Sequence, residues 1–141
     1  MKKNIIKLSA IAAAIMLMAS GSVAYAAGNW TKEVSTTTPN WGGVKYNNSV
    51  YDAKDTNSGV GSFYATQQTT WFKHEIALTY TNTSGKKVIG SDWDKAEIDV
   101  IKHPNLVTAI PNMAYYSAAK SAALEPADNT VVKYKFSADK L

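Results

Sequence analysis

The sequence predicts an all-β fold, a single antiparallel β-sandwich behind an N-terminal export signal. Three observations carry this reading. Residues 73–81 and 131–137 alternate apolar and polar side chains, the period-two pattern of a strand that buries one face. Beyond residue 26 the chain is rich in Thr, Tyr, Val, Asn, Ser and Gly, the residues of strands and turns. Turn-forming clusters recur at intervals of about 8–12 residues, a spacing that suits a sandwich of seven or eight short strands.

Residues 1–26 read as a cleavable signal peptide. Lys2, Lys3 and Lys7 form a basic start, and 8–19 is an apolar run of 12 residues. That run is shorter than the roughly 20 residues a membrane span needs. A small-residue tail follows, with Ala24 and Ala26 at the positions a signal peptidase reads, so the cut is expected after Ala26. One domain is then expected over 27–141, secreted and extracellular, with no membrane span.

The strongest strand is 73–81. His74, Ile76, Leu78 and Tyr80 fall on one face, and Lys73, Glu75, Thr79 and Thr81 on the other. Residues 82–85 (NTSG) form a turn and 86–89 begin the return, which makes a hairpin. In 131–137, Val132, Tyr134 and Phe136 face inward while Lys133 and Lys135 face water. Weaker strands are expected at 30–34, 43–47, 49–51 and 62–66. Residues 95–102 also alternate, and β-branched Ile98, Val100 and Ile101 favour a strand there. A helix competes, because Ser91 and Asp94 have the spacing of a cap. Residues 112–124 hold five Ala between Pro111 and Pro126, a composition that suits one short helix.

Charge and composition exclude several functions. The 15 basic residues are all Lys, and three of them lie in the signal. Residues 27–141 therefore carry 12 Lys against 11 acids, a net charge of +1. With no Arg and no basic patch, nucleic acid is not an expected partner. The absence of Arg beside abundant Lys and Asn also fits the AT-rich coding of many Gram-positive bacteria. There is no Cys, which removes disulfides and thiol chemistry.

No catalytic constellation is recognisable, so the chain is not expected to be an enzyme or to need a cofactor. His74 lies on the apolar face of its strand and His103 precedes Pro104 in a turn. Residues 74–78 (HEIAL) begin like a zinc-protease helix, but Leu78 stands where the second His is required. Asp92 with Asp94, and Asp52 with Asp55, offer oxygen ligands without the loop spacing of a calcium motif, so no metal site is assigned. The aromatic residues remain. Trp41, Trp71, Phe72 and Trp93 lie near strand ends or loops. Flat rings there cover area at low entropy cost, which is how a rigid surface grips a sugar or a protein. These four are the candidate binding residues, with Trp41 and the Trp71–Phe72 pair foremost.

Two resemblances add to this. Residues 124–128 (LEPAD) followed by 131–136 (VVKYKF) resemble the last hairpin of bacterial immunoglobulin-like domains. There an apolar residue, Pro, Gly and an acid precede the final strand; here Ala127 stands where Gly is usual. This implies an immunoglobulin-like sandwich. The runs KHEIALTYTN (73–82), WDKA (93–96) and NMAYY (112–116) are similar to lactococcin-type secreted bacteriocins. Those carry a His before a strand that ends near Asn, then Trp-x-x-Ala, then Asn-x-x-Tyr-Tyr near the chain end. In this chain 25 residues follow Tyr116. That resemblance implies binding to a cell-wall precursor. The sequence thus points first to a secreted, non-enzymatic recognition protein whose partner is an extracellular protein or a cell-wall or surface glycan. A bacteriocin is the alternative.

Overall fold

The computed structural model describes residues 29–141. The expected export signal and its expected cleavage residues Ala24 and Ala26 lie outside the described residues. Within them the chain is all-β and contains no helix. Eight strands follow in order: β1 (Val34–Thr38), β2 (Val44–Ala53), β3 (Ser62–Gln68), β4 (Glu75–Thr81), β5 (Lys87–Ile89), β6 (Asp94–Lys95), β7 (Ala114–Lys120) and β8 (Thr130–Ser137). They form two antiparallel sheets. One has the order β1-β8-β3; the other has β2-β7-β4-β5, with β6 also pairing to β4. The sheets pack face to face as a sandwich.

Period-two burial builds the core. Val34, Phe63, Ala65, Val132, Tyr134 and Phe136 project from the three-stranded sheet. Val50, Ile76, Leu78, Tyr115 and Ala119 project from the five-stranded one. The expected inward faces of 73–81 and 131–137 are the observed ones. The 73–81 strand is buried beyond expectation, because Ala77 and Thr79 on its other face are also covered. Residues 82–85 form the turn of the β4–β5 hairpin, with Asn82 Oδ1 accepting from the backbone of Ser84 and Lys86.

The Ala-rich segment is a correction. Residues 112–124 hold no helix; their centre is β7, paired on one side with β2 and on the other with β4. Its small side chains answer to the facing sheet. The Tyr134 hydroxyl crosses the core to lie 2.8 Å from Ser117 Oγ, and a larger residue at 117 or 119 would fill that space. The two prolines bracket a strand as readily as a helix.

Residues 95–102 are a second correction: Lys95 ends the short β6, and 96–102 make isolated bridges and a turn rather than one continuous strand or a helix. Asp99 takes a positive φ of 58°, and Val100 N–H turns back to Glu97 O. The segment works instead as a strap. It bridges to β3 at Ala65 and Phe63, and further on meets Val60 and Ser91, closing one side of the sandwich between the two sheets. The weak strand expected at 30–34 begins later, at Val34, and Trp30 instead packs edge-on against Tyr64 at 4.8 Å. The strands expected at 43–47 and 49–51 are one strand, β2, interrupted by a bulge. Asn47 fastens that bulge, its amide oxygen accepting from the N–H groups of Ser49 and Val50.

Gly61 marks a close approach between the sheets. A Cβ there would lie 2.2 Å from Leu78 Cδ1 and 3.2 Å from Ser137 O, whereas one at Gly59 would meet nothing. Because Leu78 is fully buried, it has little room to give way. Gly61→Ala is therefore expected to destabilise the fold by about 1–3 kcal/mol. Gly59→Ala is expected to lie within about 0.5 kcal/mol of the parent. Urea unfolding of both variants checks the pair.

Candidate functional site

One end of the sandwich gathers three connections. They are the turn between β1 and β2, the loop between β3 and β4, and the segment between β7 and β8. The first carries Trp41, the second Trp71 and Phe72, the third Leu124. All four are exposed: Trp71 by 98%, Leu124 by 72%, Trp41 by 61% and Phe72 by 41%. An indole left almost wholly in water contributes nothing to the core, so the loops that display it need some other anchor.

That anchor is Glu125, which is buried. Its Oε2 accepts from Thr70 Oγ1 in a short hydrogen bond, and its Oε1 accepts from Ala127 N–H at 2.9 Å. Its backbone carbonyl accepts from Trp41 N–H at 2.8 Å. One residue thus ties all three connections together. Ser121 adds a second tie, donating to Pro39 O and accepting from Gly42 N–H. Thr69 exchanges hydrogen bonds with the backbone of Val131.

The Trp41 turn is conformationally demanding. Trp41 and Gly42 both have positive φ, 51° and 76°, and Gly43 N–H closes on Asn40 O at 3.0 Å. Two left-handed residues in succession define a type I′ turn, which favours Asn or Asp followed by Gly. A tryptophan at the first of these positions is sterically disfavoured, and such residues cluster at functional sites.

Beneath this end, His74 joins the sheets. Its Nε2 lies 3.1 Å from the hydroxyls of both Thr38 and Thr130, on the opposite sheet. Its Nδ1 lies 3.2 Å from Gln68 Oε1, an oxygen that also accepts from His74 N–H at 2.9 Å. Because that oxygen can only accept, the ring proton belongs on Nδ1, and Nε2 receives a hydroxyl hydrogen. Burial holds the imidazole below its ordinary value of 6.5, partly offset by the nearby Glu125 charge and the hydrogen bond at Thr130.

The structure brings Trp41, Trp71 and Phe72 to this end. Trp93 lies at the same end but on the outer face of the five-stranded sheet. There it is half-buried, with Lys120 Nζ 4.6 Å above its ring and that ammonium held by Glu75. Sequence reasoning missed Leu124 and Glu125. Residues 124–128 signalled a hairpin connection in the sequence, and the partners that bury Glu125 come from loops distant in the chain. His103 Nδ1 lies 3.1 Å from Ser62 Oγ. That hydroxyl belongs to a buried residue and takes Leu141 N–H, so the pair offers no open nucleophile. Among the described residues no three His, Asp or Glu side chains gather for a metal ion, and no helix is long and apolar enough to cross a membrane. Asp92 is occupied by the Asn105 amide, and Asp94 accepts from Lys95 N–H.

Two outcomes follow. Glu125→Ala leaves the Ala127 N–H and the Thr70 hydroxyl without their acceptor. It is expected to lower stability by about 1–3 kcal/mol while loosening the Trp71 loop, the Trp41 turn keeping its bond to the backbone carbonyl of residue 125. Chemical denaturation and the anisotropy of tryptophan fluorescence measure the two effects. For His74 the folded pKa lies below the unfolded one, so the unfolded chain binds more protons in the interval between them. The histidine contribution is complete above pH 6.5 and is lost as pH falls through the depressed folded value. Acidification from pH 7.5 to 5.5 is expected to change the unfolding free energy less favourably in the parent than in His74→Gln; Asp52, its carboxyl raised to about 6, gains stability over the same interval in both.

No protein-family model, curated protein or solved structure significantly matches the chain.

Proposed function

We propose that the protein is an exported, non-enzymatic recognition module that binds a cell-wall or surface glycan through the Trp41, Trp71, Phe72 and Leu124 end. The observation that carries this reading is the anchoring of two strongly exposed tryptophans to one buried residue, Trp41 through the Glu125 backbone carbonyl and the Trp71 loop through its carboxylate. Side chains displayed on tethered loops lose little further entropy when a ligand arrives. A sugar ring presents a flat array of C–H groups to an indole face, and its hydroxyls need polar neighbours. Thr69, Asp128 and Asn129 stand on the same connections as short polar or acidic groups open to solvent, with Asn40 half-buried beside them.

Co-sedimentation of the purified protein with isolated cell walls and with intact cells tests the proposal. The parent is expected to be retained. Trp41→Ala and Trp71→Ala are each expected to weaken retention by about tenfold or more, the scale of an aromatic hot spot. Both indoles stand in solvent, so both variants are expected to keep the parent's unfolding midpoint. Retention that survives the double substitution, or none by the parent, overturns the reading.

A further inference from the structure

Lys54 is the only wholly buried lysine among the described residues. It directly follows β2 in the five-stranded sheet, and its side chain crosses to the chain just past β8 in the other sheet. There Nζ lies 3.1 Å from Asp139 Oδ1 and donates to Ala138 O at 2.9 Å. The Asp139 carboxylate is also ringed by donors. Asp55 N–H reaches Oδ2 at 2.9 Å, while Thr56 N–H and Thr56 Oγ1 reach Oδ1 at 3.0 and 2.5 Å. Burial pushes this carboxyl up, and those hydrogen bonds with that of Lys54 more than reverse the effect. A third group adjoins the pair. Asp52 Oδ2 accepts from Ala138 N–H at 2.7 Å and from Ser137 Oγ at 3.0 Å. Asp52 and Lys54 therefore hold the N–H and the C=O of the same residue, Ala138. Asp139 N–H in turn donates to Ser137 Oγ.

An amine and a carboxylate held together in a dry interior have two fates. As an ion pair they keep two charges out of water, and their attraction often fails to recover that loss. As an amide they carry no charge. Fixing the two groups at contact raises their effective concentration to about 10⁵–10⁸ M, provided the approach is well oriented. Donors already aimed at one carboxylate oxygen are also donors for the oxyanion that forms when nitrogen attacks carbon.

We propose that Lys54 and Asp139 condense into an intramolecular isopeptide bond. The Lys54 ammonium gives one proton to Asp139 Oδ1, 3.1 Å away, and the neutral Nζ attacks Cγ of Asp139. The N–H groups of Asp55 and Thr56 hold the charge that develops on the Asp139 oxygens. The protonated oxygen then takes a second proton from the nitrogen and leaves as water. The C–O bond breaks and the C–N bond remains. Asp52 fixes the backbone of Ala138, the residue before Asp139. The bond would join the end of β2 to the tail of β8 and lock together the two sheets at the end opposite the tryptophans.

Intact-mass spectrometry of the purified protein, with its N-terminus fixed by sequencing, tests this directly. The parent is expected to be lighter than its calculated mass by one water, about 18 Da, and a digest is expected to yield one branched peptide containing both residues. Lys54→Met and Asp139→Ala are expected at full calculated mass. Parent protein that stays at full mass after prolonged incubation in its folded state overturns the proposal.

Discussion

The aromatic end of the molecule depends on one buried glutamate. Glu125 accepts through both side-chain oxygens and its backbone carbonyl, and the three donors come from three different connections. It is no part of the hydrophobic core. Its carboxylate holds the Trp71 loop through Thr70, and its backbone carbonyl holds Trp41 N–H. The sheets thus make most of the fold, and Glu125 sets how the loops stand on it. The left-handed Trp41 fits the same division, because Gly42 and Gly43 complete the turn while Trp41 N–H is fixed to the Glu125 carbonyl.

The two ends are built from opposite chemistry. At the aromatic end, an imidazole and two threonine hydroxyls cross between the sheets in neutral form. At the far end the crossing is made by Lys54 and Asp139, with Asp52 beside them. The sides differ as well. The strap near residues 96–107 covers the edge of β3, whereas β1 and β2 lie at the outer edges of their sheets on the other side. A polar groove of about 750 Å³ runs between those edges, lined by Lys32, Glu33, Lys45 and Asn48 among others.

Much of the fold was legible in the sequence because burial on one face of a strand imposes period two. Residues 73–81 and 131–137 carry that period cleanly, and they form the core strands β4 and β8. Where packing overrides local preference, the sequence misled. The five alanines of 112–124 favour a helix in isolation, yet three of them, Ala114, Ala118 and Ala119, lie in a central strand whose inner face meets Tyr134. Ile98, Val100 and Ile101 have strand propensity, but Asp99 breaks their alternation. Of the candidate site, the tryptophans were visible because large rings in loops are conspicuous. Glu125 and Lys54 were not, because an acid before proline and a lysine beside a polar loop read as solvated. Only the paths of distant strands bury them.

The central claim is that three loops held by Glu125 form one preorganised binding surface. Amide chemical-shift mapping during titration with soluble cell-wall glycan fragments tests it most directly. The account predicts shifts confined to residues 40–43, 69–73 and 121–127, moving together along one binding isotherm. Shifts centred on the groove between β1 and β2, on the strap, or nowhere would contradict it.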